Sequence, residues 1–542
     1  MIERIKENKK KYVFIGLMLL IYFVTRFYKI LTVPNGVHID ELSMAYNTWS
    51  LNNYGVDRYG MSYPVYFENV RSGQSVLMVY LTVALCKVFG YHFFIVRLVP
   101  VLMGLVLMFC VYKICEELFD ERTACCSLLV TVLFPYFFMS QRFALDCNAF
   151  LPCLSLVIYL AILFYKKPTV KRGVSLCLAI SVSLYSYALS WIALGIFTVV
   201  YFIAFLIKNR EKENLKVLAK SLLGFIPALP IAYYVLCVYQ IVPEIKTKFF
   251  TIARTSSSRT SEVVPHFLSP SKFVEYFKTL FTHDQFSFSA TNKYGTMFWF
   301  GGFLVVIGLV IFLIKAFKRK RFEDLVIVIG FISSVAVFYF IPSICIYRMN
   351  FIYLFFAVFI TLTISELFNL NLFVGLTGCL IILISSFSSF HYYFNDFTKV
   401  TENYRFFTNN LIKVSEHLKG KEGTFYMDTV GSYNEYLSVI YGLKIDPNEF
   451  QETVYDLDYY GMSFEDGDSK FIIGLENAEI NDDYFYVIKD YSENTLLYYN
   501  DETNDVKAVD DGIALENELK ENDFKVLEKY GYKIYYKDKQ VS

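Results

Sequence analysis

The feature that most constrains this chain is a succession of apolar runs, each close to the length of a bilayer crossing. A spanning helix needs roughly 20 residues at 1.5 Å each. In hydrocarbon only helices and closed barrels satisfy every backbone group. Such runs fall at approximately 12–32, 93–114, 123–139, 148–165, 173–188, 191–207, 215–239, 297–316, 324–342, 348–365 and 371–391. The expected fold is therefore a polytopic α-helical membrane protein of about 11 transmembrane helices. The stretch Gln74–Phe89 is apolar but short, and it decides the sidedness of everything after it. If it crosses, the basic loops at Lys166–Arg172, Lys208–Lys212 and Lys315–Arg321 all face outward. If it does not, all three face the cytoplasm, as the positive-inside rule prefers. It reads as a juxtamembrane or re-entrant helix.

The net charge of zero hides a division. From Asn395 onward there are 31 Asp and Glu against 15 Lys and Arg, out of 51 of each in the whole chain. A basic, apolar part (residues 1–394) is thus followed by an acidic part with soluble character (395–542). Arg4, Lys6, Lys9, Lys10 and Lys11 precede the first run and hold the N-terminus in the cytoplasm. No small-residue cleavage site follows that run, so it reads as a retained anchor. Eleven crossings then put the second part outside, together with loops 33–92, 140–147, 240–296 and 343–347. In that part the pattern predicts helices over 404–419 and 433–442 and strands over 424–428, 470–475, 484–489 and 532–536, a small α/β domain. It carries no phosphate loop, dinucleotide fingerprint or nucleophile elbow. All 11 cysteines precede residue 380, with no CxxC or Cys/His metal spacing, and read as small buried apolar residues. A neutral total gives no support for a nucleic-acid surface.

Chemistry-bearing residues gather in the outer loops. Asp40 and Glu41, within Gly36-Val37-His38-Ile39-Asp40-Glu41, emerge just beyond the first span, where a carboxylate can serve as a base at the membrane surface. In the second loop Arg142 and Asp146 are four apart and share a face on a helical turn. They read either as a local ion pair at the rim or as a second acid facing the cavity of Asp40. Arg254 to Arg259 has the character of a lid. His283 and Asp284 read as a polar loop or as ligands for a sugar or metal. Arg348, beside Tyr347, reads as a phosphate-gripping guanidinium or as a snorkelling one.

Taken together, His38-Ile39-Asp40-Glu41, Gly73-Gln74-Ser75, Arg97-Leu98, Arg142…Asp146 and Tyr347-Arg348 resemble, in order and sidedness, the GT-C glycosyltransferases. The resemblance is to the branch of protein O-mannosyltransferases and lipid A aminoarabinose transferases, and it covers about residues 10–395. It implies transfer of a sugar from a polyprenyl-phosphate donor to an extracytoplasmic glycan, lipid or protein by inverting single displacement. It implies Asp40 as general base, Glu41 and Asp146 as further catalytic acids, and Arg348 and Arg142 on the donor phosphate. His38, Tyr347, His283 and Asp284 would bind substrate. No cofactor is fixed by these residues; a divalent cation stays open, with no ligands assignable. Two other readings compete: a flippase or transporter of lipid-linked sugars, and a polymerase or ligase of surface polysaccharide. A scaffold that has lost catalysis is a third.

Overall fold

The computed structural model describes residues 2–69, 72–255, 269–282, 288, 290–291, 293–341, 345–402, 407–408, 410–429, 435–453, 462–476, 478–491 and 503–537. His283 and Asp284, and residues 256–259 of the expected lid, lie outside them. The membrane part opens with α1 (Ile2–Phe27), β1 (Val37–His38), α2 (Ile39–Asn53), the hairpin β2 (Phe67–Asn69) and β3 (Ser72–Gln74), and α3 (Leu77–Phe89). At 13 residues α3 is about 20 Å long, too short to cross about 30 Å of hydrocarbon. Then come α4 (Phe93–Leu118), α5 (Glu121–Leu133), α6 (Pro135–Ser140), α7 (Asp146–Lys166), α8 (Val170–Ser183), α9 (Ser190–Lys208), α10 (Lys212–Ser221) and α11 (Leu229–Val238). The strands β4 (Ile245–Lys246) and β5 (Thr251–Ile252) and helix α12 (Pro270–Phe281) follow. The part closes with α13 (Gly301–Arg319), α14 (Phe322–Ala336), α15 (Ile346–Met349), α16 (Tyr353–Leu370) and α17 (Leu372–Asn395).

Among the described residues, eight helical segments are long and apolar enough to cross a membrane. The other expected spans fall on α1, on the α5–α6 pair and on the 14-residue α8. The run expected at 123–139 is two helices because Pro135 excludes the helical conformation for Phe134, which is extended (φ −62°, ψ 119°). The run at 215–239 is likewise interrupted by a 3₁₀ stretch, Leu222–Ala228, containing Pro227. Helix α16 is the bundle centre: every residue from Tyr353 to Ser365 is buried. Helix α13, packed against it, turns most of its apolar surface outward, as a lipid-facing helix does.

The C-terminal part comprises α18 (Phe397–Glu402), β6 (Phe407–Thr408), α19 (Asn410–Leu418), β7 (Gly423–Met427), α20 (Tyr436–Leu443), α21 (Pro447–Thr453), β8 (Ser463–Asp466), β9 (Ser469–Ile473), β10 (Tyr484–Lys489), α22 (Thr503–Glu521), β11 (Lys525–Lys529) and β12 (Tyr532–Tyr536). Its six-stranded sheet has the order β11-β12-β10-β7-β9-β8. The centre, β10-β7-β9, is parallel and the flanking pairs are antiparallel. This is the expected α/β arrangement. The expected helix over 404–419 begins only at Asn410, because Phe407 and Thr408 are taken up in an antiparallel pair with Val37 and His38.

Candidate active site

The site is built on the first turn of α2. His38 caps this helix: its Nδ1 accepts a hydrogen bond from the Asp40 backbone N–H at 3.1 Å, satisfying one of the orphan donors of a helix start. Adjacent residues of a helix point about 100° apart, so Asp40 and Glu41 part company. Asp40 keeps 46% of its side chain exposed, whereas Glu41 is wholly buried. Glu41 is gripped by the equally buried Arg97 of α4, Nε to Oε1 at 2.9 Å and a terminal nitrogen to Oε2 at 2.8 Å, and also accepts from the Ala144 N–H at 2.9 Å. In this geometry Glu41 fixes α2 to two neighbouring segments.

Asp40 is aimed by the β2–β3 hairpin. Its Oδ1 accepts from the Asn69 side-chain amide at 3.1 Å, and its backbone carbonyl from the Gln74 amide at 3.2 Å. The Asn69 carbonyl is in turn held by the buried guanidinium of Arg58 at 2.8 Å and by the Ser43 hydroxyl at 3.0 Å. One residue beyond Gln74, the Ser75 N–H donates to Asp146 Oδ2 at 3.1 Å, while Asp146 Oδ1 accepts from Cys147 N–H at 2.7 Å at the start of α7. The dipeptide Gln74–Ser75 therefore holds both acids. Groups joined by hydrogen bonds cannot lie on opposite faces of a membrane, so residues 37–41, 69, 74–75 and 144–146 are on one side of it, with residues 407–408.

Tyr347 and Arg348 lie on α15, both half-buried, with Arg348 Nε donating to the Tyr347 hydroxyl at 3.3 Å. An aromatic series, His38 to Phe288 at 4.5 Å and Phe288 to Tyr347 at 5.4 Å, joins them to the capping histidine. Tyr187, beyond α8, is within electrostatic reach of Asp146, Tyr347 and Arg348 alike. Arg142 stands elsewhere. Fully buried, it donates to the carbonyls of Thr25, Arg26, Tyr28 and Val33 at 2.6–3.1 Å, a cation closing the C-terminal end of α1. These hydrogen bonds all run to that end rather than to Asp146.

Strand alternation puts Glu68 on the face of β2 opposite Asn69. There it lines a cavity of about 260 Å³ with Asp57, Tyr59, Tyr66, Arg254 and Thr255. Burial pushes Asp57 up to about 6, against the backbone amides of Met61 and Tyr59 and the charge of Arg58. Arg58, Asn69 and Glu68 were not singled out by sequence; the only signal was their place in a polar, aromatic loop next to Asp40. Among the described residues no three His, Cys, Asp or Glu side chains gather to hold a metal ion.

Burial pushes His38 below its ordinary 6.5, with Asp40 and Glu41 opposing. The capping bond needs Nδ1 unprotonated, so the 3.9 Å approach of His38 to Asp40 is not an ion pair. The unfolded histidine takes up a proton first as the pH falls. The stability His38 contributes is thus complete above about 6.5 and lost as the pH drops below it. Asp57, raised, works in the opposite sense below about 6. The expected result is that melting temperatures of wild type and His38→Asn, which keeps a capping side chain, differ in pH dependence between about pH 7.5 and 5. Wild type loses more on acidification; parallel curves would show the cap to be inert.

Residues 74–234 match the sequence profile of the family described as dolichyl-phosphate-mannose-protein mannosyltransferase. The match takes in Gln74, Ser75, Arg97, Arg142 and Asp146 and leaves out Asp40. No curated protein matches the chain by sequence. Among solved structures the chain is similar to ArnT from Cupriavidus metallidurans in the apo state, with a TM-score of 0.58 and 13% identity over 98% of both chains. The chain has the ArnT fold. The same protein bound to undecaprenyl phosphate gives 0.56 and 13% over 97% of each chain. An oligosaccharyltransferase of Archaeoglobus fulgidus in complex with Zn and sulfate gives 0.51 and 12%, over 79% of this chain and 61% of that one. The multi-pass helical architecture expected from the sequence thus holds along nearly the whole length, C-terminal part included.

Proposed function

We propose that this protein is a membrane glycosyltransferase that moves a sugar from a polyprenyl-phosphate carrier to an acceptor outside the cell membrane. The observation that carries the reading is Asp40: a half-exposed carboxylate at a helix start, aimed by Asn69 and neighboured by Asp146, on the fold of a protein crystallised with undecaprenyl phosphate. The profile match over residues 74–234 points the same way. By the positive-inside rule the N-terminus is cytoplasmic and the site and C-terminal domain are extracellular.

In this reading the acceptor hydroxyl gives its proton to Asp40 as its oxygen bonds to the anomeric carbon. The bond from that carbon to the phosphate oxygen breaks on the opposite face, so the anomeric centre inverts. Charge accumulating on the departing lipid phosphate is met by Arg348. Asp146, fixed by two backbone N–H groups, stands beside Asp40 as the second acid. Glu41 and Arg142 act as positioning residues, and His38 and Tyr347 line the approach. The described residues offer no three-ligand metal set. The sugar–phosphate bond supplies the driving force, so no nucleotide-binding fold is required.

The test is purified protein in vesicles with a radiolabelled polyprenyl-phosphate sugar and cell-envelope acceptor. Label moving onto the acceptor supports the reading, and label that only changes leaflet overturns it in favour of a flippase. A charge-assisted phosphate contact contributes about 1.5–3 kcal/mol. Arg348→Gln is therefore expected to weaken polyprenyl-phosphate binding roughly 10- to 100-fold, read by titration of the lipid; unchanged affinity would remove Arg348 from the phosphate.

A further inference from the structure

The C-terminal part is joined to the catalytic turn itself. Strand β6 pairs antiparallel with β1, Val37 opposite Thr408 and His38 opposite Phe407. The approach is close enough to demand glycine just before it. Gly36 has φ +92°, and a Cβ there would meet the Thr408 carbonyl at 3.2 Å and Phe407 at 3.3 Å. The ring of Phe407 stands edge-on to His38 at 5.5 Å. Thr408 is in turn fixed by the Ser438 hydroxyl of α20 at 3.0 Å.

Further along α2 the same neighbour returns. The Tyr46 hydroxyl donates to the Ile445 carbonyl at 2.6 Å, and the hydroxyls of Tyr91 and Tyr441 meet at 2.9 Å. Lys444 lies over the ring of Tyr441 at 3.1 Å, with Tyr91 at 5.4 Å and Trp49 at 5.9 Å. Ile39, Leu42, Ala45 and Tyr46 of α2 belong to one continuous hydrophobic core with Leu437 and Ile440 of α20. No layer of solvent-facing side chains separates the two.

We propose that the C-terminal domain is a positioning element of the transferase, with β6 and Phe407 holding His38 in the capping pose that aims Asp40. This rests on the glycosyltransferase reading above. The chain of contacts is short: β6 fixes β1, β1 ends in His38, and His38 holds the Asp40 N–H. Among the described residues β1 and β6 form a two-stranded sheet of their own. Phe407 meets the turn at the ring of His38, and its effect passes through that histidine.

The experiment uses the full-length protein. Phe407→Ala is expected to lower kcat for transfer about 10- to 100-fold, the scale on which a displaced catalytic group acts, with the KM for the lipid donor within twofold of wild type. Phe407→Tyr, which keeps the ring, is expected to restore kcat to within threefold. Hydrogen exchange of the peptide covering residues 36–44 is expected to quicken in Phe407→Ala and to return to the wild-type rate in Phe407→Tyr. A folded Phe407→Ala with wild-type kcat and wild-type exchange overturns the proposal, as does a loss that raises donor KM alone. If Phe407→Ala does not fold, Tyr46→Phe, which removes only the hydroxyl to Ile445, is read the same way on kcat and on exchange over 39–53. Should wild type itself transfer no sugar, the glycosyltransferase reading fails; the exchange data still decide whether β6 holds the α2 turn.

Discussion

Asp40→Asn is expected to lower sugar transfer by 10²- to 10⁴-fold, the usual contribution of a positioned general base, with binding of the polyprenyl-phosphate donor unchanged. The amide is nearly the same shape and can still meet the Asn69 side chain, so the turn of α2 stays in place. What it lacks is the capacity to take a proton from an attacking hydroxyl. The measurement pairs single-turnover transfer from a labelled donor with equilibrium binding of the same lipid. Full activity in the mutant would remove the base assignment, and a parallel loss at Asp146→Asn would show the two acids working as one unit. Asp146→Asn should be the milder change, because its carboxylate oxygens already accept two backbone N–H groups.

The second large effect concerns stability. Glu41 and Arg97 are both wholly buried, and the guanidinium also donates to the carbonyls of Ile30 at 2.7 Å and Gly36 at 3.0 Å. Removing one partner strands the other charge away from water, which costs about 3–5 kcal/mol. Glu41→Ala and Arg97→Met are each expected to lower the unfolding midpoint of detergent-solubilised protein sharply and to abolish transfer by loss of folded enzyme. The double mutant should lose less than the sum of the two, since the second change removes the charge that the first one orphaned. Additive losses in thermal melts would show that the pair is not coupled. Arg97→Lys should not substitute, because an ammonium cannot present the guanidinium's fork to a carboxylate and two carbonyls at once.

The chain's architecture was legible because the bilayer is a severe solvent. Apolar length located the eight helical segments long and apolar enough to cross, and the three basic loops argued against a crossing at α3, which is too short to span. Asp40 stood out by its place just after the first span. What could not be read was which acid of the pair stays exposed: that follows from the 100° step of a helix whose start is fixed by His38, and no pattern marks His38 as a cap rather than a ligand. Arg142 was misleading for a related reason. Its spacing to Asp146 suits a shared face, yet the nearer need is the unsatisfied carbonyl end of α1. Helix 404–419 failed at its start because two of its residues are drafted into a strand by a partner almost four hundred positions away. Arg58 and Asn69 act only through the hairpin fold that brings them to Asp40, and linear sequence does not encode that closure.

The bond from Tyr46 to Ile445 joins residues 399 positions apart. During synthesis the first span and α2 are laid down long before α20 leaves the ribosome. Contacts of such separation form late and slowly. A nascent chain therefore enters the bilayer with its reactive turn unfinished. If that domain positions the turn as proposed, competence arrives only when the last quarter of the polypeptide folds back upon the first tenth, and a prematurely terminated product is expected to be inserted and inert.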